Sequence, residues 1–163
     1  MNNKEQIILV GGGGQCEASI DVIEQQGLYE IAAIVDVPSR VGQHILGYPI
    51  SYTDEELPGL ATKYKHFLVT VGQIESPQLR FSLFRELKKL NVNLPVIISP
   101  FAYVSPHSEI GEGTIIMHHA LINAGAIIGK NCIINSKALV EHHARVEDFC
   151  HISTGAVLNG NVT

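Results

Sequence analysis

Residues 110–134 read IGEGTIIMHHALINAGAIIGKNCII, and here an isoleucine returns at every sixth position: Ile110, Ile116, Ile122, Ile128 and Ile134. The series extends back through Val104 to Ile98 and forward through Val140, Val146, Ile152 and Leu158. Two residues ahead of each member sits a mostly small side chain: Ala102, Ser108, Thr114, Ala120, Ala126, Cys132, Ala138, Ala144, Cys150 and Ala156. A strict six matches neither the 3.6-residue turn of a helix nor the simple alternation of a strand. It matches a hexapeptide-repeat parallel β-helix, in which three hexads, about 18 residues, close one triangular coil. The Ile/Val/Leu column then fills the axis, the small column lets the chain turn each corner, and coils stack at about 4.8 Å. Residues 98–163 hold three to four such coils, and the pattern is still running at Asn161-Val162-Thr163, without a polar cap to cover the last one.

The first part of the chain follows a different rule. The apolar run 7–10 enters Gly11, Gly12, Gly13 and Gly14, and residues 15–26 read as a helix with Ala18, Ile20, Val22 and Ile23 on its buried side and Gly27 at its end. Residues 31–35 form a second apolar run closing on Asp36. This is a βαβ start: glycines allow close backbone approach to an anionic group at a helix N-terminus, and Asp36 stands where a ribose or base contact is expected. The G-x-G-x-x-G spacing is not met, since Cys16 and Glu17 occupy the candidate third positions. That disfavours a dinucleotide oxidoreductase while keeping a nucleotide plausible. A third strand is expected at 67–72 and an amphipathic helix with Arg80 and Arg85 at 77–90. These give a Rossmann-like α/β domain over 1–97 and a β-helix domain over 98–163.

Composition narrows the classes. The chain has 163 residues, 45% hydrophobic and 17% charged, which excludes wholesale disorder. No uncharged run is long enough to span a bilayer, the first residues carry no signal-peptide pattern, and the net charge of −5 offers no basic footprint for nucleic acid. Cys16, Cys132 and Cys150 lack metal or redox spacing, which suits a cytoplasmic protein. Of the eight histidines, His107, His118, His119, His142, His143 and His151 fall within the repeat.

Taken together, Gly11–Gly14, Asp36, Gly72 with Arg80, Asn135, Glu141-His142, Asp148, His151, Gly155 and Gly160 resemble the sialic-acid and bacillosamine-type sugar acetyltransferases along the whole chain. The resemblance implies a trimeric, left-handed β-helix enzyme with a nucleotide-sugar-binding N-terminal domain. Its activity would be acetyl transfer from acetyl-CoA to an amino group of a nucleotide-activated amino sugar in surface-glycan biosynthesis. By motif, His142 would be the general base, Glu141 the neighbour that orients or polarises it, and His151 would lie beside the thioester. Asn135 would lie near the acceptor, and Gly11, Gly12, Gly13, Gly14, Asp36 and Gly72 would hold the nucleotide sugar. Two positions depart from the family pattern: His143 stands where Asp often follows, and Thr154 where Pro is usual. The family continues for further coils lining the acetyl-CoA groove, so this β-helix reads as truncated, with a weaker hold on the acyl donor.

The repeat supplies geometry of its own. Acyl transfer from a thioester needs a base, oxyanion donors and a groove that excludes water. Histidine deprotonates near neutrality. One coil on from His142 lies Gly160, and one coil back lies Ala124, so the imidazole has almost no side chain above or below it. Gly160 belongs with the acetyl-CoA contacts for this reason, its backbone N–H being an oxyanion donor. His151 is nine residues from His142, half a coil, so the two meet only if His142 of one chain approaches His151 of a neighbour in a homotrimer. His107 and the pair His118-His119 are read as surface or interface residues, Cys132 and Cys150 as buried structural thiols, and no metal is expected. Two other activities fit the same motifs: sugar O-acetylation, and non-catalytic trimeric binding of a nucleotide sugar.

Overall fold

The computed structural model describes residues 4–74 and 76–163. The chain divides into two compact units, Met1–Pro95 and Val96–Thr163.

The first unit is a five-stranded sheet with helices. In chain order it comprises β1 (Glu5–Val10), α1 (Gly14–Gln26), β2 (Tyr29–Val35), β3 (His44–Ile45), β4 (Tyr48–Tyr52), α2 (Leu57–Ala61), β5 (His66–Val69) and α3 (Gln78–Lys89). The sheet order is β3-β4-β2-β1-β5. β1 pairs in parallel with both β2 and β5, β2 in parallel with β4, and β3 antiparallel with β4. Ile7, Ile8, Leu9 and Val10 are fully buried, which explains an apolar run without alternation: the central strand of a parallel sheet is covered on both faces. Helix α1 buries Cys16, Ser19, Ile20, Val22 and Ile23, while Ala18, expected on that side, is only half-buried. Ser19 is accommodated because its hydroxyl donates to the Gln15 carbonyl at 2.7 Å. Gly27 ends the helix with φ 71°, its N–H bonding Ile23 O at 3.0 Å.

This unit differs from expectation in several elements, α2 among them, which has no counterpart in the sequence reading. The third strand ends at Val69, short of the expected residue 72; Thr70 N–H still bonds the Val10 carbonyl at 2.8 Å, and its hydroxyl donates to the Gly11 carbonyl at 2.6 Å. The β3–β4 hairpin has no counterpart in the sequence reading. Its turn residues Leu46 and Gly47 both have positive φ (49° and 90°), as tight hairpins require, but its strands are too short and too exposed to show a pattern.

The second unit is a parallel β-helix with a repeat of 18 residues. One sheet stacks Ile97–Ile98, Ile115–Ile116, Ile133–Ile134 and His151–Ile152. A second stacks Tyr103–Val104, Leu121–Ile122, Leu139–Val140 and Val157–Leu158. The third stacks Glu109–Ile110, Ile127–Ile128 and Arg145–Val146. The six-residue Ile/Val column fills the axis, and the small column lies in the same core: Ala120, Ala126, Cys132, Ala138 and Ala144 are at most 1% exposed. The small residues are therefore lining, and the sharp bend sits one residue earlier. There, Gly113, His119, Gly125, Asn131, Lys137, His143, Phe149, Gly155 and Asn161 all have φ between 50° and 74°, a left-handed residue every sixth position. Among the described residues, no helix is long and apolar enough to cross a membrane.

Candidate active site

The corner after Leu139–Val140 carries Glu141-His142-His143. Its backbone is fixed from both neighbouring coils. Glu141 N–H bonds Leu158 O at 3.0 Å, His143 N–H bonds Ala124 O at 3.2 Å, and Asn161 N–H bonds His142 O at 3.1 Å. The His142 ring lies over Gly160: a Cβ there would fall 2.6 Å from His142 Cε1 and 2.7 Å from Nε2. The His143 ring instead covers Gly125, so close that a Cβ would collide with Nδ1. The two imidazoles thus lean to opposite sides of the corner, edge to face, with centroids 5.7 Å apart.

Glu141 is engaged with backbone. One carboxylate oxygen, Oε2, accepts the His142 N–H at 3.0 Å and the Asn123 side-chain amide at 2.9 Å. These two donors, the His142 backbone first, hold its pKa below the ordinary 4.5. Asn123 is absent from the sequence-derived candidates; it lies one coil before Glu141, and coil arithmetic applied to Glu141 finds it.

Asn135 and His151 come together at the end of the sheet that stacks Ile133–Ile134 on His151–Ile152. Asn135 Oδ1 accepts the Ser136 N–H at 2.8 Å, which turns its amide nitrogen onto His151 Nε2 at 3.1 Å. The acceptor role this leaves to Nε2 places the proton of the neutral ring on Nδ1. Within one chain, His151 and His142 lie on different corners. Another corner joins Ser99 and His118, Oγ to Nδ1 at 2.6 Å, with Phe101 against His118 and His119. Cys132 is fully buried and its thiol is pushed up to about 11 by burial; that of half-buried Cys150 is raised for the same reason. Among the described residues, no group of three or more His, Cys, Asp or Glu side chains is arranged to hold a metal ion.

In the first unit, the glycine loop joins β1 to α1. Gly11 (φ 104°) passes so close to Val71 that no side chain fits, and Gly12 packs on Asp36, where a Cβ would lie 2.6 Å from Oδ2. Asp36 closes the back of the loop. Its Oδ2 accepts the Gly12 N–H at 3.0 Å and Arg40 Nη1 at 2.8 Å, and its Oδ1 accepts the Val37 N–H at 2.7 Å. Arg40 Nη1 also donates to the Gly12 carbonyl at 2.7 Å. Arg40, four residues beyond Asp36, is likewise missing from the sequence-derived candidates; the two are joined by a loop that is not α-helical, where the α-helical spacing rule does not apply. Gly13 and Gly14 face open space at the N-terminus of α1, and Gly72 meets only Gln15 Cβ, at 3.7 Å. Arg80, 1% exposed, donates to the Val69 and Val71 carbonyls at 3.0 and 2.7 Å and so ties α3 to the strand end.

Residues 6–87 match the PglD N-terminal domain family. The chain belongs to the PglD-type sugar acetyltransferases. It is 31% identical to perosamine N-acetyltransferase from Caulobacter crescentus, solved as a histidine-to-asparagine variant with CoA and GDP-perosamine. That match covers 99% of this chain and 73% of the other, with a TM-score of 0.88. It is 30% identical to the acetyltransferase domain of PglB from Neisseria gonorrhoeae, solved with acetyl coenzyme A, over 98% of this chain and 75% of that one (TM-score 0.87). WeeI from Acinetobacter baumannii shares the fold at 21% identity and a TM-score of 0.72. No curated protein sequence matches the chain. For this PglD-type chain, the small residues and histidines of the repeat are parts of an acetyltransferase scaffold.

Proposed function

We propose that this PglD-type chain moves an acetyl group from acetyl-CoA to an amino group of a nucleotide-linked amino sugar, with His142 as the base. The observation that carries this reading is the His142 ring lying over Gly160, on a corner fixed from both neighbouring coils. Relatives solved with CoA, acetyl-CoA and GDP-perosamine support the two substrate classes.

In this reading acetyl-CoA supplies the thioester. His142 receives the proton that the acceptor nitrogen loses as it adds to the carbonyl carbon. The carbon–sulfur bond of the thioester then breaks, and the CoA sulfur leaves with that proton as the free thiol. The Gly160 backbone N–H faces the developing oxyanion, which a side chain there would block. Asn135 lies near the acceptor and holds His151 beside the thioester, in the tautomer that leaves Nδ1–H as a donor. The first unit is a Rossmann-like nucleotide-sugar domain over 1–97. There, the Gly13 and Gly14 backbone at the start of α1 receives the diphosphate and Asp36 with Arg40 shapes the nucleoside side. The β-helix over 98–163 is left-handed, and three chains assemble so that His142 of one meets His151 of the next.

Incubation with acetyl-CoA and a panel of UDP- and GDP-linked 4-amino sugars, following released thiol and product mass, tests this reading. An acceptor gaining one acetyl group at nitrogen is the expected result; an ester product would reassign the chemistry to O-acetylation. Nucleotide-sugar binding with no coenzyme A binding and no thiol release would leave only a binding protein.

A further inference from the structure

Several corners of the β-helix share one local device. Asn123, Asn135 and Glu141 each occupy the first position after a strand and turn a side-chain oxygen onto the next backbone N–H: Ala124 at 2.8 Å, Ser136 at 2.8 Å and His142 at 3.0 Å. Ser99 and Ser105 do the same one residue further on, to Phe101 and His107. A neutral amide oxygen therefore suffices for this bond at two of the corners. The corner at Glu141 differs in its second partner. Asn123 Oδ1 is held by Ala124, so its amide nitrogen points at Glu141, and both bonds to the carboxylate land on Oε2. One comes from a backbone and one from a fixed amide of the previous coil.

We propose that Asn123 and Glu141 form a clamp on the His142 backbone, Asn123 acting as a positioning residue through Glu141. The role of the carboxylate is to accept those two hydrogen bonds, and its charge is not what the imidazole uses. With the His142 N–H held by Glu141 and its carbonyl held by Asn161, side-chain rotation alone sets where the ring falls over Gly160. Loss of the clamp on one side returns freedom to the backbone that carries the base, and misplacement of a reacting group lowers turnover more than binding. This inference rests on the reading of His142 as the base.

Variants at the two positions test it. Asn123→Asp sets two carboxylates against each other while keeping the Ala124 bond. Both bonds land on Oε2, so Glu141→Gln keeps both on its amide oxygen and removes only the charge, whereas Glu141→Ala removes the clamp. Asn123→Asp and Glu141→Ala are each expected to lower kcat by roughly tenfold or more, as for lost hydrogen bonds that position a reacting group. KM for both substrates should stay within about twofold, and Glu141→Gln should recover most of the loss seen in Glu141→Ala.

The pH profile gives a readout that a merely structural role would not move. The Glu141 carboxyl titrates below its ordinary range, so the clamp is closed at neutral pH and opens only as pH falls through that lowered value. Asn123→Asp should carry the acid limb of kcat upward. Melting temperature across the same four proteins follows the clamp independently of catalysis. A Glu141→Gln protein that regains both melting temperature and most of kcat relative to Glu141→Ala supports the proposal. One that regains melting temperature without kcat, or neither, overturns it. His142→Ala, run alongside, separates the two readings: if it keeps full turnover, the assignment of the base fails, while the melting-temperature series still judges the clamp.

Discussion

The His142 imidazole rests on Gly160, with its Cε1 2.6 Å from where a Cβ would sit. The glycine backbone is not left-handed, so alanine is conformationally acceptable there, and what must yield is the far end of a side chain. Gly160→Ala should therefore fold with nearly unchanged melting temperature and displace the ring. A fall in kcat of about 100-fold is expected, in line with an ångström-scale misplacement. Steady-state kinetics beside a thermal melt checks this, and a fully active Gly160→Ala would remove His142 from its assigned position.

The glycine loop separates folding from binding at adjacent residues. Gly13 faces open space, so Gly13→Ala should leave the melting temperature alone yet raise KM for the nucleotide sugar if the diphosphate approaches that backbone. Gly12→Ala would drive a methyl to within 2.6 Å of Asp36 Oδ2 and 2.9 Å of Ile45 Cδ1, so it should lower stability as well. Calorimetric titration with UDP and GDP, set against melting curves, distinguishes the two. Equal loss of stability in both variants would contradict the loop geometry.

Corner glycines between coils bear a different load. A Cβ at Gly111 would lie 2.6 Å from the Gly129 carbonyl carbon, and one at Gly129 would lie 2.6 Å from the Glu147 carbonyl carbon. Backbone cannot swing aside as an imidazole can. Gly129→Ala should cost about 1–3 kcal/mol, the usual range for overpacking, measured by denaturant unfolding. A neutral Gly129→Ala would mean that the coils stack more loosely than described.

Thiol chemistry should follow burial. The Cys16 and Cys132 thiols are both pushed up to about 11 by burial, so at pH 8 they are protonated as well as enclosed. Titration of the native protein with an aromatic disulfide should modify at most Cys150, and all three thiols should react after unfolding. Rapid native modification of Cys132 would be incompatible with a closed core.

The coil repeat is legible in the sequence because its signal is redundant: the same apolar residue class returns at one position in every hexad, and that position faces the axis. The conformational signal beside it is not legible. The left-handed corner position holds Gly, His, Gly, Asn, Lys, His, Phe, Gly and Asn, a set with no common chemistry, because the turn imposes a backbone angle and little else. In the first unit, β1, β2 and α3 are readable from apolar runs and helical spacing. The β3–β4 hairpin is not, with its short and half-exposed strands.

The candidate site divides along similar lines. His142 over Gly160 follows from counting 18 residues, and the same count from Glu141 leads to Asn123. The partners of Asp36 do not follow from any count. That carboxylate is expected from the sequence to make a ribose or base contact, and its two oxygens are bonded to Gly12, Val37 and Arg40, a contact set made where the loops after β1 and β2 meet.

The left-handed corners also map where this solenoid can be altered. A non-glycine residue at positive φ carries strain of order 1 kcal/mol, which glycine escapes and asparagine tolerates better than most residues. Lys137 and Phe149 are thus places where substitution by glycine or asparagine relieves strain with no functional penalty foreseen. His143 shares the backbone state but sits against His142, the proposed base, so the same relief there would alter that corner. The protein's tolerance to mutation is therefore periodic, like its fold, with the period broken at the corner proposed to carry the chemistry.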